Sequence, residues 1–367
     1  MMEFTTADRR WMRRALSLAR RGWGHTAPNP MVGAVLVRDG AVVGEGWHAV
    51  YGGAHAEVVA LEAAGDRARG ATAYVTLEPC NHQGQTPPCS SELIAAGVTR
   101  VVFGADDPNP AAWGGSAAVR GAGITVDAGL GAPEARELNA AFHSRFSRNR
   151  PFVTLKLAVS IDGAITDASR QAGLLTGARA LRVVHRMRAG HDAIAVGSGT
   201  VLSDDPLLTV RGVRSPRRAP RRVVFDRRGR LPVTSQLVRT ARRWPTLLVT
   251  VDPPPAQTEA LLAHGVERLP ASSLAAALSQ LLLQGVDSLL CEGGASLAGS
   301  LLSDGLVDRL AIFQAPVVLG AGALQAFAFA PSSVCPSVEG TRTRWRVVEH
   351  RQLGDDVLTV YVPTGSS

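Results

Sequence analysis

Apolar positions follow two alternating periods along the chain, and this pattern predicts an α/β protein. Residues 8–21 repeat apolar side chains at helical spacing, and either Thr5 or Thr6 can cap that helix. Residues 32–37 and 41–46 are apolar runs of strand length around a short polar turn, which predicts a β-hairpin. Further elements of the first half are expected, in chain order, at 55–64 (helix), 73–77 (strand), 90–96 (helix), 100–104 and 124–126 (strands) and 133–148 (helix).

A break at residues 149–151 separates this half from a second α/β pattern. Strands that alternate with helices indicate a mostly parallel sheet, and an antiparallel pair of strands is expected near 345–348 and 357–362. A length of 367 residues exceeds the usual size of one domain, so two domains are predicted, at 1–149 and 150–367. The other elements of the second half are expected at 152–159, 193–197, 222–225, 246–251, 287–291 and 310–318 (strands) and at 178–190, 257–264, 274–284 and 296–303 (helices).

Two glycine-containing turns follow predicted strands of the second half. One is Val196-Gly-Ser-Gly-Thr200, and the other is Glu292-Gly-Gly-Ala-Ser296, which leads directly into a helix. A glycine-rich turn at a helix N-terminus binds phosphate through free backbone N–H groups. Neither turn matches the dinucleotide fingerprint G-x-G-x-x-G, and either one alone is often only a tight turn. At the ends of adjacent strands, however, they predict a nucleotide or substrate cleft.

Composition narrows the class of protein. Hydrophobic residues make up 46% of the chain, but no apolar run approaches the roughly 20 residues of a membrane span. The start of the chain lacks the apolar stretch and cleavage site of a secretory signal, and four cysteines do not make a disulfide framework. We therefore expect a cytoplasmic protein that does not act at a membrane.

The net charge of +8 is a feature of nucleic-acid-binding proteins. The basic residues are nevertheless scattered over both halves, and aromatic residues amount to only 5%, which leaves few side chains for base stacking. Arginine pairs such as Arg217-Arg218 are typical of solvated loops and also suit phosphate-bearing small molecules. A small phosphorylated substrate is expected rather than a nucleic acid.

Residues that carry zinc chemistry are concentrated in the first quarter of the chain. His55, Cys80 and Cys89 are donor types that zinc prefers, and three protein ligands leave a fourth position open for water. Zinc lowers the pKa of such a water to about 7, and Glu57, two residues after the histidine, is placed to move its protons. His-x-Glu followed by Pro-Cys and a second cysteine is the pattern of zinc-dependent deaminases. The motif therefore predicts hydrolytic deamination.

Chance and ordinary packing are the simpler interpretations of the same residues. A lone His-x-Glu arises by accident in a chain of this length, and Cys80 and Cys89 could be core thiols. The full set in the right order, with a proline directly before Cys80, favours zinc. The generic pattern has Cys-x-x-Cys, whereas eight residues separate the two cysteines here.

Lys156 is the only lysine among 39 basic residues. It lies in an apolar, alternating run of strand type, residues 152–158. Because the pKa of a lysine shifts on burial and its ammonium group is a compact donor, we expect Lys156 to serve chemistry that arginine does not. The alternative is a surface lysine on a strand face.

Short motifs spread over nearly the whole chain resemble those of one family. They are Pro28-Asn-Pro-Met-Val-Gly33, Gly44-Glu-Gly-Trp-His48, His55-Ala-Glu-Val-Val-Ala-Leu61, Thr76-Leu-Glu-Pro-Cys-Asn-His82, Thr86-Pro-Pro-Cys89, Asp107-Pro-Asn-Pro110, Leu155-Lys-Leu-Ala-Val-Ser-Ile-Asp-Gly163, Gly199-Thr-Val-Leu-Ser-Asp-Asp-Pro206 and Leu290-Cys-Glu-Gly-Gly294. With them the chain is similar to the bifunctional riboflavin-biosynthesis deaminase–reductases. The wide cysteine spacing is normal in that family.

The resemblance implies a cytidine-deaminase-like α/β/α domain followed by a dihydrofolate-reductase-like α/β domain. The first would remove an amino group from 2,5-diamino-6-(5-phosphoribosylamino)pyrimidin-4-one by hydrolysis. The second would then reduce the ribosyl side chain to ribityl with NADPH. The implied cofactors are zinc and NADPH, and a homo-oligomer is expected.

The resemblance also implies roles for individual residues. In the deaminase they are the zinc ligands His55, Cys80 and Cys89, the proton shuttle Glu57, and the substrate contacts Asn29 and His48. In the reductase they are the catalytic residues Lys156 and Glu292, the substrate contacts Arg188, Leu208, Arg211 and Glu292, and the cofactor contacts Ala158, Leu174, Thr200, Asp204, Gly293, Gly294, Ala295 and Ser296. An arginine suits a substrate phosphate because it can bind it with two parallel hydrogen bonds.

Three positions depart from the family pattern. Ala172 stands where the family has a serine that meets substrate, Leu174 where a tryptophan lies against the cofactor, and Gln85 where a lysine or arginine is usual. Tolerated drift is one explanation. The alternative is a deaminase-only paralogue with an impaired reductase domain, or one with a modified pyrimidine substrate. A basic RNA-binding or RNA-editing module, which rests on charge alone, is a third hypothesis.

Overall fold

The computed structural model divides the chain into two compact units, Met1–Ser147 and Arg148–Ser367. Each unit has its own sheet and its own buried apolar core. The described residues are 4–83, 87–170, 173–251, 253–327 and 344–364. Within these ranges, no helix combines the length and the apolar character that crossing a membrane would require.

The first unit is a five-stranded sheet with accompanying helices. Its elements are β1 Gly33–Arg38, β2 Ala41–Trp47, β3 Thr72–Leu77, β4 Arg100–Ala105, β5 Thr125–Ala128, α1 Thr6–Ala19, α2 Ala56–Ala64, α3 Cys89–Ala95, α4 Gly115–Gly121, α5 Ala132–Leu138 and α6 Ala140–Ser147. The strands lie in the order β2-β1-β3-β4-β5. The predicted hairpin forms the antiparallel edge, whereas β3, β4 and β5 are parallel to one another.

Helix α1 is fixed to the sheet through its first turn. Thr5 is the capping residue, and its hydroxyl oxygen accepts from the N–H of Asp8 while Asp8 accepts from the N–H of Thr5, at 3.1 and 2.9 Å. The same carboxylate accepts hydrogen bonds from Tyr74 on β3 and Arg100 on β4, both at 2.7 Å. Asp127 on β5 binds the other side of Arg100. One buried carboxylate thus ties the start of α1 to two strands.

Helix α2 lies very close to β2 because of two glycines. A Cβ built on Gly44 would stand 2.2 Å from the carbonyl oxygen of Ala60, and one built on Gly46 would stand 2.3 Å from that of Ala56. Any larger residue at either position would push the helix away from the sheet. The two glycines therefore determine how closely α2 packs against β2.

The second unit is built on a nine-stranded sheet. Its elements are β6 Phe152–Val159, β7 Ala164–Thr166, β8 Ala193–Gly197, β9 Arg221–Phe225, β10 Thr246–Thr250, β11 Val266–Pro270, β12 Ser288–Cys291, β13 Arg309–Gln314, β14 Leu324–Gln325, β15 Trp345–Leu353, β16 Asp356–Pro363, α7 Ala178–Ala189, α8 Ser198–Asp204, α9 Gln236–Arg239, α10 Pro255–Ala263, α11 Leu274–Leu283 and α12 Ala295–Ser303.

The large sheet has the strand order β11-β10-β9-β8-β12-β6-β13-β16-β15. All pairs from β11 to β13 are parallel, and the last two pairs are antiparallel. The predictions of a mostly parallel sheet and of an antiparallel pair near the end of the chain are confirmed. Because the central strands are parallel, their carboxyl ends meet at one edge of the sheet.

Several elements differ from the sequence prediction: α4, α8, α9, β7, β11 and β14 were not predicted, and the strand expected at 310–318 ends at Gln314. The helix expected over 133–148 is interrupted at Asn139, whose side chain accepts from the N–H of Met31 at 2.8 Å and donates to the carbonyl oxygen of Met31 at 2.9 Å. The local periodicity of the sequence cannot reveal a hydrogen-bond partner that lies 108 residues away. Strand β11 was not predicted, because it buries only two of its five residues, Val266 and Leu269.

Replacing Asp8 by alanine should destabilise the first unit at neutral pH. Burial alone would raise the pKa of Asp8, but hydrogen bonds from Arg100, Tyr74 and Thr5 outweigh it and hold that pKa well below its usual range. A depressed carboxyl pKa stabilises the fold above about pH 4, and this contribution is lost as the pH falls further. We expect the free energy of unfolding of the first unit to fall by about 2–4 kcal/mol. In the full chain this loss is measured as faster amide hydrogen exchange in α1.

Asp39 provides the matched control for this experiment. Its side chain is 91% exposed, so Asp39→Ala should leave exchange in α1 unchanged. Equal exchange rates in the Asp8 and Asp39 variants at pH 7 would contradict the assigned role of Asp8.

Candidate active sites

The three residues predicted to bind zinc converge in the first unit. His55 caps α2, Cys89 is the first residue of α3, and Cys80 lies in the segment after β3. The Nδ1 atom of His55 lies 3.2 Å from the Sγ atom of Cys89 and 3.6 Å from that of Cys80. All three donor atoms lie within 4.8 Å of one another. His55 and Cys89 thus lie at the starts of helices, whereas the end of a strand positions Cys80.

The backbone around Cys80 is held by close packing. The N–H of Cys89 donates to the sulfur of Cys80 at 3.5 Å, and the N–H of Ser90 donates to its carbonyl oxygen at 3.2 Å. On the other side, a Cβ on Gly115 would stand only 1.7 Å from the carbonyl oxygen of Pro79. Helix α4 can pack against this segment only because its first residue is glycine.

The donor set fits zinc. The hydrogen bond with Cys89 lowers the pKa of Cys80 to about 4, and the reciprocal interaction raises the pKa of Cys89. The hydrogen bond with Cys80 also raises the pKa of His55. Thiolate and imidazole donors favour zinc over magnesium or calcium, which prefer oxygen. Among the described residues, these three form the one group of at least three side chains that could hold a metal ion.

Glu57 lies beside this cluster in the first turn of α2. Its side chain is buried, and burial, aided by the Cys80 thiolate, raises the pKa of its carboxyl group to about 7. A divalent cation among the three ligands would add positive charge and lower that pKa. A carboxyl group close to the ligands but outside the ligand set suits proton transfer better than metal binding.

Asn29 and His48, the two predicted pyrimidine contacts, meet at the same site. The Nδ1 atom of His48 lies 3.0 Å from the carbonyl oxygen of Ala54, so this nitrogen donates. Burial lowers the pKa of His48 and keeps the ring neutral, which leaves Nε2 to accept from the Asn29 amide at 3.4 Å. The ring of His48 also stands edge-on to that of His55, with centroids 5.6 Å apart.

Asp107 belongs to this site although no role was predicted for it. It follows β4, as the segment with Cys80 follows β3, and burial raises its pKa to about 6. Its carboxylate accepts from the N–H of Asn109 at 2.9 Å, and its carbonyl oxygen accepts from the indole of Trp113 at 2.8 Å. The Asp-Pro-Asn-Pro motif was the available signal, because it brings an acidic residue to a strand end.

The second unit contains a cleft of about 1460 Å³ along the carboxyl ends of its parallel strands. Every residue that the sequence suggested for the reductase lines it. These residues are Lys156, Ala158, Leu174, Arg188, Thr200, Asp204, Leu208, Arg211, Glu292, Gly293, Gly294, Ala295 and Ser296.

The two glycine-containing turns lie side by side in this cleft. They follow β8 and β12, which are neighbouring parallel strands. The N–H of Gly294 donates to the hydroxyl oxygen of Thr200 at 3.1 Å and so ties one turn to the other. Each turn opens a helix, α8 or α12. This arrangement suits the phosphates of a dinucleotide.

Lys156, in the middle of β6, lies next to Glu292, which directly follows β12. Leu155 of β6 pairs with Cys291 of β12, so the following residue on each strand comes alongside its counterpart. Arg188 binds both carboxylate oxygens of Glu292, at 2.6 and 2.9 Å. Burial alone would raise the pKa of Glu292, but Arg188 outweighs it and keeps the carboxylate charged. Burial lowers the pKa of Lys156, and Glu292 partly opposes this.

The two arginines assigned to substrate differ in their surroundings. Arg188 is buried, and besides Glu292 it donates to the carbonyl oxygen of Thr209 at 3.0 Å. Arg211 is exposed, and its guanidinium group donates to the hydroxyl of Thr209 at 3.0 Å. Leu208, the residue before Thr209, is buried with a left-handed φ of +49°. Backbone strain of this kind is concentrated at functional sites.

Of the three positions that depart from the family pattern, only Leu174 lies within the described residues. Leu174 borders the cleft with 77% of its surface exposed, where a bound cofactor could cover it. Ala172 and Gln85 lie outside the described residues.

Comparisons with known proteins agree with both sites. Residues 5–105 match the cytidine and deoxycytidylate deaminase zinc-binding region, and residues 151–359 match the RibD C-terminal domain. The riboflavin biosynthesis protein RibD of Aquifex aeolicus is 38% identical over 96% of this chain and 98% of its own length.

Two solved structures align with 98% of this chain and 99% of their own chains. RibD of Acinetobacter baumannii has 37% identity and a TM-score of 0.84. The diaminohydroxyphosphoribosylaminopyrimidine deaminase/5-amino-6-(5-phosphoribosylamino)uracil reductase of Thermotoga maritima has 34% identity and a TM-score of 0.83.

These matches confirm the predicted fold class, the two kinds of enzyme domain, and zinc and NADPH as the cofactors. The chain belongs to the RibD family of riboflavin-biosynthesis enzymes, with a zinc-dependent, cytidine-deaminase-like domain followed by an NADPH-dependent reductase domain.

Proposed function

We propose that this chain catalyses two consecutive steps of riboflavin biosynthesis. The first is hydrolytic deamination of 2,5-diamino-6-(5-phosphoribosylamino)pyrimidin-4-one, and the second is reduction of its ribosyl side chain to ribityl. The observation that carries the proposal is that each unit has its own complete set of reactive groups. Glu57 stands beside the three metal ligands in one unit, and Lys156 stands beside Glu292 in the cleft of the other.

In the deaminase, His55, Cys80 and Cys89 hold zinc, which when bound supplies a water molecule of lowered pKa. The carboxyl group of Glu57 takes up the proton that the attacking water gives up and delivers it to the departing amino group. A single buried carboxyl group therefore acts first as base and then as acid. The neutral ring of His48 and the amide of Asn29 bind the polar edge of the pyrimidine and orient it.

In the reductase, the glycine-containing turns hold NADPH, which supplies the hydride. Arg188 fixes the carboxylate of Glu292, and Glu292 in turn keeps a negative charge beside the ammonium group of Lys156. Lys156 is thereby placed to donate a proton to the ribose ring oxygen as its bond to the anomeric carbon breaks, and the hydride that NADPH would supply is needed at that carbon. The exposed guanidinium group of Arg211 suits the substrate phosphate better than that of Arg188, whose donors already bind Glu292 and Thr209.

The deaminase-only alternative is less well supported. Leu174 in place of tryptophan removes aromatic surface at the edge of the cleft. The cleft nevertheless keeps Lys156, the Arg188–Glu292 ion pair and both glycine-containing turns. A chain that had lost reduction would have no reason to retain a buried lysine and a buried ion pair, because both oppose stability unless compensated.

We also propose the setting in which the enzyme works. Its substrate is a small phosphorylated pyrimidine, and we expect it to act in the cytoplasm as a homo-oligomer, without nucleic acid. The support is the chemistry of the two sites, together with the scattered positive charge and the low aromatic content.

Replacing Glu57 by glutamine should slow ammonia release from the diaminopyrimidine by about 10²–10⁴-fold, because the amide cannot shuttle protons. Zinc content, measured by mass spectrometry, should stay the same, because Glu57 is not a ligand. Glu62→Gln is the matched control, since Glu62 is exposed on the same helix. Normal deamination by the Glu57 variant would overturn the assignment.

Replacing Lys156 by methionine should slow NADPH oxidation by about 10²-fold or more, because the proton donor is lost. Lys156→Arg should restore little, since arginine does not release its proton. In the wild type, the reductase rate should decline with rising pH below the usual lysine range near pH 10.4, because burial lowers the pKa of Lys156. Deamination by the same samples is the internal control for folding. Wild-type rates of NADPH oxidation in the methionine variant would contradict this role.

A further inference from the structure

Two arginines of the reductase cleft have no role in the proposed chemistry. They lie at the end of the cleft that is farther from Lys156. Arg227 and Arg230 follow β9, and both line the cleft. We propose that they bind the 2′-phosphate of NADPH and thereby make the reductase select NADPH over NADH. This assignment rests on the proposed reductase function and concerns only its choice of nucleotide.

The order of the strands sets the direction of the cofactor. The nicotinamide ring must lie near Lys156 of β6 and Glu292, which follows β12. Strand β9 is three strands away from β6, in the order β9-β8-β12-β6. With about 4.8 Å between neighbouring strands, the distance is roughly 14 Å. An extended dinucleotide that starts at Lys156 therefore crosses the glycine-containing turns and brings its adenosine half to the end of β9.

The two guanidinium groups at that end are available to a phosphate. Arg227 is exposed and forms no ion pair with any described residue. Arg230 is about half exposed, and its Nη2 atom donates to the hydroxyl oxygen of Ser198 at 2.8 Å. Ser198 begins α8 in the first glycine-containing turn, so this contact fixes Arg230 next to the predicted path of the dinucleotide. Two arginines offer the charge and the paired donors that a phosphate requires.

The acidic residue of the same turn, Asp226, also borders the cleft, but its carboxylate is buried. An aspartate or glutamate after a strand commonly binds the ribose 2′-hydroxyl of NAD, and its charge would repel a 2′-phosphate. Here the side chain of Asp226 has no exposed surface, and its Oδ2 atom accepts from the N–H of Leu231 at 2.8 Å. Its Oδ1 atom lies 3.7 Å from the Nε atom of Arg230. The negative charge is therefore buried against Arg230, and the positive charges face the cleft.

The test is nucleotide binding to the full chain by isothermal titration calorimetry, with NADP⁺ and NAD⁺ as separate probes. Arg227→Ala and Arg230→Ala should each weaken NADP⁺ binding by about tenfold, and the double variant by more, because each loses a charge-assisted hydrogen bond. Binding of NAD⁺ should change by less than about threefold, since it has no 2′-phosphate. Arg228→Ala is the matched control, because Arg228 is exposed in the same turn but does not line the cleft.

Three other outcomes would overturn the assignment of the 2′-phosphate site. Equal losses for NADP⁺ and NAD⁺ would show that the arginines contact the shared pyrophosphate, and would overturn the assignment. A loss in Arg228→Ala as large as in the other two variants would do the same, because it would reflect general attraction by positive charge. Failure of the wild type to bind either nucleotide would overturn the reductase function itself, and this inference with it.

Discussion

Both active sites depend on the register of parallel strands, which brings the carboxyl ends of neighbouring strands to a common edge. In the first unit, the end of β3 pairs with the end of β4, so the segments that carry Cys80 and Asp107 leave the sheet together. In the second unit, the register of β6 and β12 sets Lys156, in the middle of β6, beside Glu292, which follows β12. A slip of one residue would turn every side chain of a strand to the opposite face and would dismantle either site.

Each site also requires compensation of buried charge. Taking an ion out of water costs several kcal/mol unless a partner repays it. Arg188 compensates for the burial of Glu292 with two parallel hydrogen bonds, and zinc would do so for the thiolates of Cys80 and Cys89. The same principle separates the two arginine environments of the cleft. Arg188 neutralises a protein carboxylate, whereas Arg227 remains open to a ligand.

Local sequence signals predicted what short-range chemistry decides. The ligand types of the zinc site, the glycine-containing turns and the mostly parallel sheet were all evident, and Lys156 stood out as the single lysine. Interactions between distant residues were not predictable. The break at Asn139 depends on Met31, and Arg188 meets Glu292 across 104 residues. In a chain so rich in arginine, nothing local distinguishes a phosphate-binding arginine from a solvated one.

The central claim is that one chain carries out both steps in sequence, and a single assay tests it. Full-length, zinc-loaded protein is supplied with the phosphoribosyl diaminopyrimidine and NADPH, and ammonia release and NADPH oxidation are followed together. The account predicts equimolar amounts of released ammonia and oxidised cofactor, and both should appear about 10²–10⁴-fold more slowly with the Glu57→Gln variant. Ammonia release by the wild type without NADPH oxidation would contradict it.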